Sequence, residues 1–173
     1  MPDKDDGLLA YLDTGSGDAR TWATQLEPWG SGVCLRAAVA AARAVLPVWE
    51  LKYPQDAAPR KALEAAEAWL LCPCDAHCRS AWTRAMGALN SCGDGRVDKA
   101  AEAAGATALV VGKGPAETLQ EVGEIVWTAV QAGVDADDWD RSEREIIDAM
   151  RSELRPWAHD TGDPIAARAT LQR

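Results

Sequence analysis

SGVCLRAAVAAARAVLPVWEL, residues 31–51, is the stretch on which the fold turns. Leu35, Val39, Ala42, Leu46 and Trp49 recur at steps of three and four, which lines one apolar stripe along a helix and is too long for a strand. Pro47 removes one backbone hydrogen bond and is expected to bend that helix near Arg43. The whole chain has the same texture, with 34 alanines among 173 residues and no Phe. Ala enters helices at the least cost, and β-branched and aromatic residues are scarce. The fold class that follows is all-α, a compact bundle of five to six helices. A hydrophobic share of 47% excludes wholesale disorder, and the length suits one domain.

Working outward, Pro59 suits the first turn of a second helix, with Ala62, Ala66, Trp69 and Leu70 facing inward. Cys72-Pro73-Cys74 ends it. Asp75 can cap a third helix whose inner face is Cys78, Ala81 or Trp82, Ala85 and Leu89. Asn90 to Gly95 reads as a turn. Residues 96–104 are helical by composition, whereas Ala108 to Val111 could form a short strand, since apolar runs of four are ambiguous. Another helix starts at Pro115, carries Leu119, Val122, Val126 and Ala129, and stops at Gly133. The last starts at Asp137, carries Trp139, Ile146, Met150, Leu154 and Trp157, and is closed by Pro156. Residues 1–30 read as a partly ordered N-terminal arm with room for one short helix, ordered only where its Leu and Trp side chains dock, 31–158 as the helical domain, and 159–173 as a flexible tail.

The opening MPDKDD has neither a basic nor an apolar region of the kind a signal peptide needs. The apolar run from Ala37 to Trp49 is interrupted by Arg43 and Pro47, so no membrane span is expected. Five cysteines are an odd number in a chain of this size, which points to reduced thiols and a cytoplasmic setting. A net charge of −9 repels phosphate backbones and argues against nucleic-acid binding.

One local cluster has metal-ligand character. Cys72, Cys74, His77 and Cys78 place four soft or borderline donors within seven residues, enough for one Zn²⁺ as Cys₃His. The obstacle is that His77 and Cys78, as helical neighbours, point about 100° apart. Core cysteines beside a capping His are the plain alternative. Eight Trp against two Tyr is a second unusual feature. Trp49, Trp69 and Trp157 fall on helix stripes and fit core packing, while Trp22, Trp29 and Trp139 fall near element starts and suit exposed anchors. A groove lined by Trp22, Trp29, Trp49 and Trp69 would sequester a small apolar molecule, as a self-resistance protein does.

Signals for catalysis are thin. His77 and His159 are the only histidines, which leaves little for a Ser-His-Asp or Cys-His arrangement. Gly112-Lys113-Gly114 lacks the spacing of a phosphate loop, and Asp135, Asp137 and Asp138 do not follow an EF-hand. A non-enzyme with no obligatory cofactor is the expectation.

PVWELKYPQDAAPRKALEAAEAWLLC, residues 47–72, resembles immunity proteins of bacterial polymorphic toxin systems. The pattern is carried by Pro47, Trp49, Glu50, Pro54, Asp56, Pro59, Arg60, Ala62, Leu63, Glu64, Ala65, Ala66 and Trp69. The resemblance implies an α-helical cytoplasmic protein that binds and blocks a toxin.

Such a partner would meet the acidic surface. Residues 135–153 hold eight acids against three arginines, a net of −5, and Glu117, Glu121 and Glu124 make a second stripe. Asp137, Asp138, Asp140, Glu143 and Glu145, with Trp139 among them, are the candidate partner-binding residues. A basic protein such as a nuclease would be steered toward them.

Overall fold

The computed structural model describes residues 4–93, 95–133 and 138–161. Among them are eight α-helices and no strand: α1 (Lys4–Thr14), α2 (Ala19–Thr24), α3 (Ser31–Lys52), α4 (Ala58–Leu71), α5 (Asp75–Asn90), α6 (Asp98–Leu109), α7 (Pro115–Gly133) and α8 (Trp139–Thr161). A 3-10 turn, Glu27–Trp29, links α2 to α3.

The chain is all-α, but the expected five to six helices are too few, and the excess comes from the N-terminal arm. Leu8, Leu12, Trp22 and Leu26 are buried, so the arm folds as α1 and α2 onto the bundle. Asp18 caps α2 by accepting from the Thr21 backbone N–H at 2.8 Å and the Thr21 hydroxyl at 2.8 Å. These bonds favour its ionised form and hold its carboxyl below the ordinary aspartate value. The α1 helix packs on α8 and α2 on α7, with ion pairs Asp13–Arg155 and Arg20–Glu124 across those seams.

At the centre lies α3, against α4, α6, α7 and α8. Arg43 and Pro47 do not divide it. By length and composition α3 could cross a membrane, so the expectation that these residues rule out a span does not hold on that ground. In this fold 61% of its most apolar window is buried inside the bundle. Alanine dominates the interior, and the bulk that fixes the packing comes from a few large side chains, among them Trp22, Trp49, Leu35, Leu63, Ile125 and Met150. Each contributes roughly 1.5–3 kcal/mol by leaving water. Small residues set the closest approaches: a Cβ on Gly105 would lie 2.7 Å from Leu89 Cγ, where α6 meets α5.

Residues 47–72 build one corner of this core. Trp49 is buried and donates from Nε1 to Asp56 O at 3.2 Å. The Asp56 carboxylate accepts from the N–H of Ala58, the first residue of α4, at 2.9 Å. Arg60 Nε donates to Glu50 at 2.7 Å across the turn. Other expectations need correction. Residues 108–111 make no strand, because α6 runs through Leu109 before a turn. Cys74, not Asp75, stands at the N-cap of α5. Pro156 does not close α8, which continues to Thr161. The expected tail therefore begins within α8, and its remainder, residues 162–173, lies outside the described residues.

Candidate functional site

Helix α8 buries Ile146, Met150 and Leu154 and turns Asp138, Asp140, Glu145 and Asp148 to solvent. Asp138 accepts from Arg141 N at 3.1 Å and so caps the helix. Asp137, the expected cap, lies outside the described residues. Part of the acidic charge is met locally: Arg141 Nε donates to Glu145 at 2.8 Å, and Arg151 reaches Asp148 at 3.4 Å. On the second stripe Lys113 pairs with Glu121 at 3.3 Å and Arg20 with Glu124.

Trp139 stands within this face, 37% exposed, with its ring centroid 4.9 Å from that of Trp127 on α7. Its Nε1 donates to the half-buried Glu143 at 3.3 Å. The α7–α8 corner therefore presents an indole pair with Glu143 against it, at the start of a helix whose Asp138, Asp140 and Glu145 are exposed. Sequence reasoning did not single out Trp127, because nothing in a one-dimensional pattern pairs it with a residue beyond the next turn.

The other tryptophans disperse. Trp22 is fully buried rather than an exposed anchor, and stacks on Tyr11 with centroids 5.3 Å apart. Trp29 is half-buried against the other side of the same layer, also 5.3 Å from Tyr11. Trp49 pairs with Tyr53 at 4.4 Å, and Trp69 is half-buried in α4. Trp22 and Trp29 thus meet around Tyr11, while Trp49 belongs to the α3–α4 corner, so the four do not line one groove. Among the described residues one open cleft is bounded by Ala40, Arg43, Ala44, Ala149, Ser152 and Glu153 and another by residues around Asp56, Lys61 and Arg84, and neither of these is lined by Trp.

The cysteine cluster divides in two. Cys72 is the C-cap of α4, Cys74 the N-cap of α5, and His77 sits in the first turn of α5. One donor atom from each of these three lies within 4.8 Å of the others. The Cys74 thiol lies 3.5 Å from His77 Nδ1, and that nitrogen is 2.8 Å from Cys72 O. Cys78 leaves the group, donating from Sγ to Val111 O at 3.5 Å, below the α6–α7 turn. The divergence expected of adjacent helical positions is what removes it. The backbone N–H of His77 holds the Cys74 thiol below its ordinary value, whereas hydrogen bonding with Cys74 raises that of Cys72. Burial pushes Cys34 up to about 12 and Cys92 up to about 11.

Sequence reasoning also missed the exposed apolar side chains of α4 and α5. The α5 face carries Trp82 at 58% and Met86 at 42%, and Leu71 at the end of α4 is 71% exposed. The helical spacing of Trp82 and Met86 was legible, but whether Ala81 or Trp82 faced inward was not; Ala81 does. The chain matches no family model, no curated protein and no solved structure.

Proposed function

We propose that this chain is a non-catalytic binding protein whose α7–α8 corner engages a basic protein partner, and that in the cytoplasm it neutralises a toxin in the manner of the immunity proteins that residues 47–72 resemble. The observation that carries the binding reading is the Trp127–Trp139 pair, with Trp139 37% exposed and donating to Glu143 at a helix start where Asp138, Asp140 and Glu145 are also exposed. Interface hot spots have this anatomy, a rigid aromatic anchor with a polar rim. The net charge of −9 adds long-range attraction for a cationic partner.

Native mass spectrometry of the tag-free protein purified from its own host tests this. The expected result is a mass increment of several kilodaltons, lost in Trp139→Ala and in Asp140→Lys/Glu145→Lys. An increment that survives both changes moves the interface elsewhere, and the bare chain mass removes the proposal. Asp138 enters the test as Asp138→Asn, which lowers the charge and keeps the cap.

A further inference from the structure

We propose that Cys72, Cys74 and His77 form a Zn²⁺ site at the corner between α4 and α5, independent of the α7–α8 face. Their donor atoms lie within 4.8 Å of one another. Two ligands on a tetrahedral zinc, at about 2.3 Å for sulfur and about 2.0 Å for nitrogen, stand about 3.5 Å apart. The Cys74 Sγ and His77 Nδ1 are separated by that distance, 3.5 Å.

The backbone explains why so tight a spacing works. On one continuous helix, side chains two apart diverge. Here the two thiols belong to different helix ends, on either side of Pro73. The proline ring forces Cys72 out of the helical region, to φ −144° and ψ 87°, and ends α4. Cys74 is extended, at φ −136° and ψ 161°, as it opens α5. His77 then returns over the corner from the first turn of α5.

The proton inventory is simple. Cys72 O can only accept, so the 2.8 Å contact puts a proton on His77 Nδ1 in the metal-free form. On binding Zn²⁺ both thiols release their protons to solvent, and the imidazole proton moves from Nδ1 to Nε2, so the Nδ1–H···O bond to Cys72 is given up in exchange for the bond to zinc. Two thiolates and a neutral imidazole cancel the charge of the ion. Three protein donors leave a fourth position open to water, since Cys72 is exposed. Two thiolates with one imidazole favour zinc over magnesium or calcium, which take oxygen donors.

The test is a competition titration of the reduced, tag-free full chain with Zn²⁺ against a chromophoric chelator. The expected result is one zinc per chain, no binding in Cys72→Ser/Cys74→Ser, and affinity weakened roughly tenfold or more in His77→Ala. Cys92→Ser should bind as the parent does. Should the double variant fail to keep its helical circular dichroism, alkylation of the unmodified chain decides instead. Zinc must then protect Cys72 and Cys74 from iodoacetamide, as mapped by peptide mass. Loss of zinc to the chelator, stoichiometric binding that survives the double variant, or alkylation unaffected by zinc would each overturn the site. Binding of Mg²⁺ or Ca²⁺ in preference to Zn²⁺ would overturn the choice of ion.

Discussion

Arg151 of α8 lies over the indole of Trp22 in α2, its guanidinium carbon 5.8 Å from the ring centroid, and its NH2 group donates to Gly15 O at 2.9 Å. One side chain of the last helix therefore holds both the aromatic core of the N-terminal segment and the backbone that leads into it. Arg151→Ala should lower stability by about 1–2 kcal/mol through the lost cation–π contact and hydrogen bond. Trp22→Ala should cost about 3–5 kcal/mol, as for a large buried aromatic. Denaturant unfolding of both single variants and the double variant checks this. The pair should couple, with the double costing less than the sum. Additive costs would mean that the two side chains do not support each other.

Tyr11 belongs to the same layer and makes it sensitive to alkali. Its hydroxyl donates to Trp22 O at 2.8 Å, and burial pushes its pKa up to about 12, against the pull of the nearby Arg151 charge. The unfolded chain ionises tyrosine near pH 10. Between about pH 10 and 12 the folded form therefore holds a proton that the unfolded form has lost. The contribution is complete below about pH 10 and declines as the pH rises through 12. Tyr11→Phe should be less stable than the parent at neutral pH and should show a shallower fall between about pH 9 and 11. Urea midpoints at those two pH values measure the difference, and an unchanged slope would place the alkaline sensitivity elsewhere.

How far the sequence could be read depended on whether a residue's role was local. The α3 and α7 helices were legible nearly to their ends, because a long stripe, Pro115 and Gly133 are local signals. The arm was legible in part: docking of its Leu and Trp side chains was expected, but a second helix was not, because Gly15, Ser16 and Gly17 look like loop and the burial of Leu12 and Trp22 depends on α7 and α8, which lie far along the chain. The cysteine cluster was half legible: helical geometry foretold that His77 and Cys78 would part, but not that Pro73 would bring Cys72 and Cys74 onto one corner.

Gly112 is required by both conformation and space. Its φ is +77°, and a Cβ there would lie 2.6 Å from Cys78 Sγ. The left-handed backbone alone costs an L-residue roughly 1–2 kcal/mol. Gly112→Ala should exceed that, since Cys78 is held against Val111 O. Adding Cys78→Ala should recover the steric part and leave the conformational part, so thermal unfolding of the double variant should fall between those of Gly112→Ala and the parent. A double variant no better than Gly112→Ala would show that the backbone, not the thiol, sets the whole cost.

Substitutions on the acidic face should separate charge from fold. Asp140→Lys and Glu145→Lys act at exposed positions, and Glu145 loses only its pairing with Arg141. Surface pairs of this kind contribute about 0.2–1 kcal/mol. Asp138→Ala removes the α8 cap and should cost about 1 kcal/mol. Melting curves should therefore rank Asp138→Ala as the more damaging change, although it alters less charge than the Lys pair. The opposite ranking would mean that the carboxylates stabilise the bundle.

Thiol reactivity in the metal-free, reduced protein should follow burial. Cys72 is exposed, and Cys74 has its thiol held below the ordinary value by the His77 backbone N–H, so both should react faster than Cys34 with a disulfide reagent at about pH 7.5, Cys74 ahead of Cys72, whose thiol is raised by hydrogen bonding with Cys74. Cys34 is 1% exposed in α3, and burial, with the charge of Glu27 adding to it, pushes its pKa up to about 12. Almost no thiolate is present and no reagent reaches it, so its modification must wait for the helix to open. Its rate should then rise with denaturant in step with global unfolding, while the fast pair stays insensitive. Peptide mapping at successive times assigns each rate to its cysteine. Rapid labelling of Cys34 without denaturant would mean that the start of α3 opens on its own, in spite of the burial of Val33 and Cys34 there.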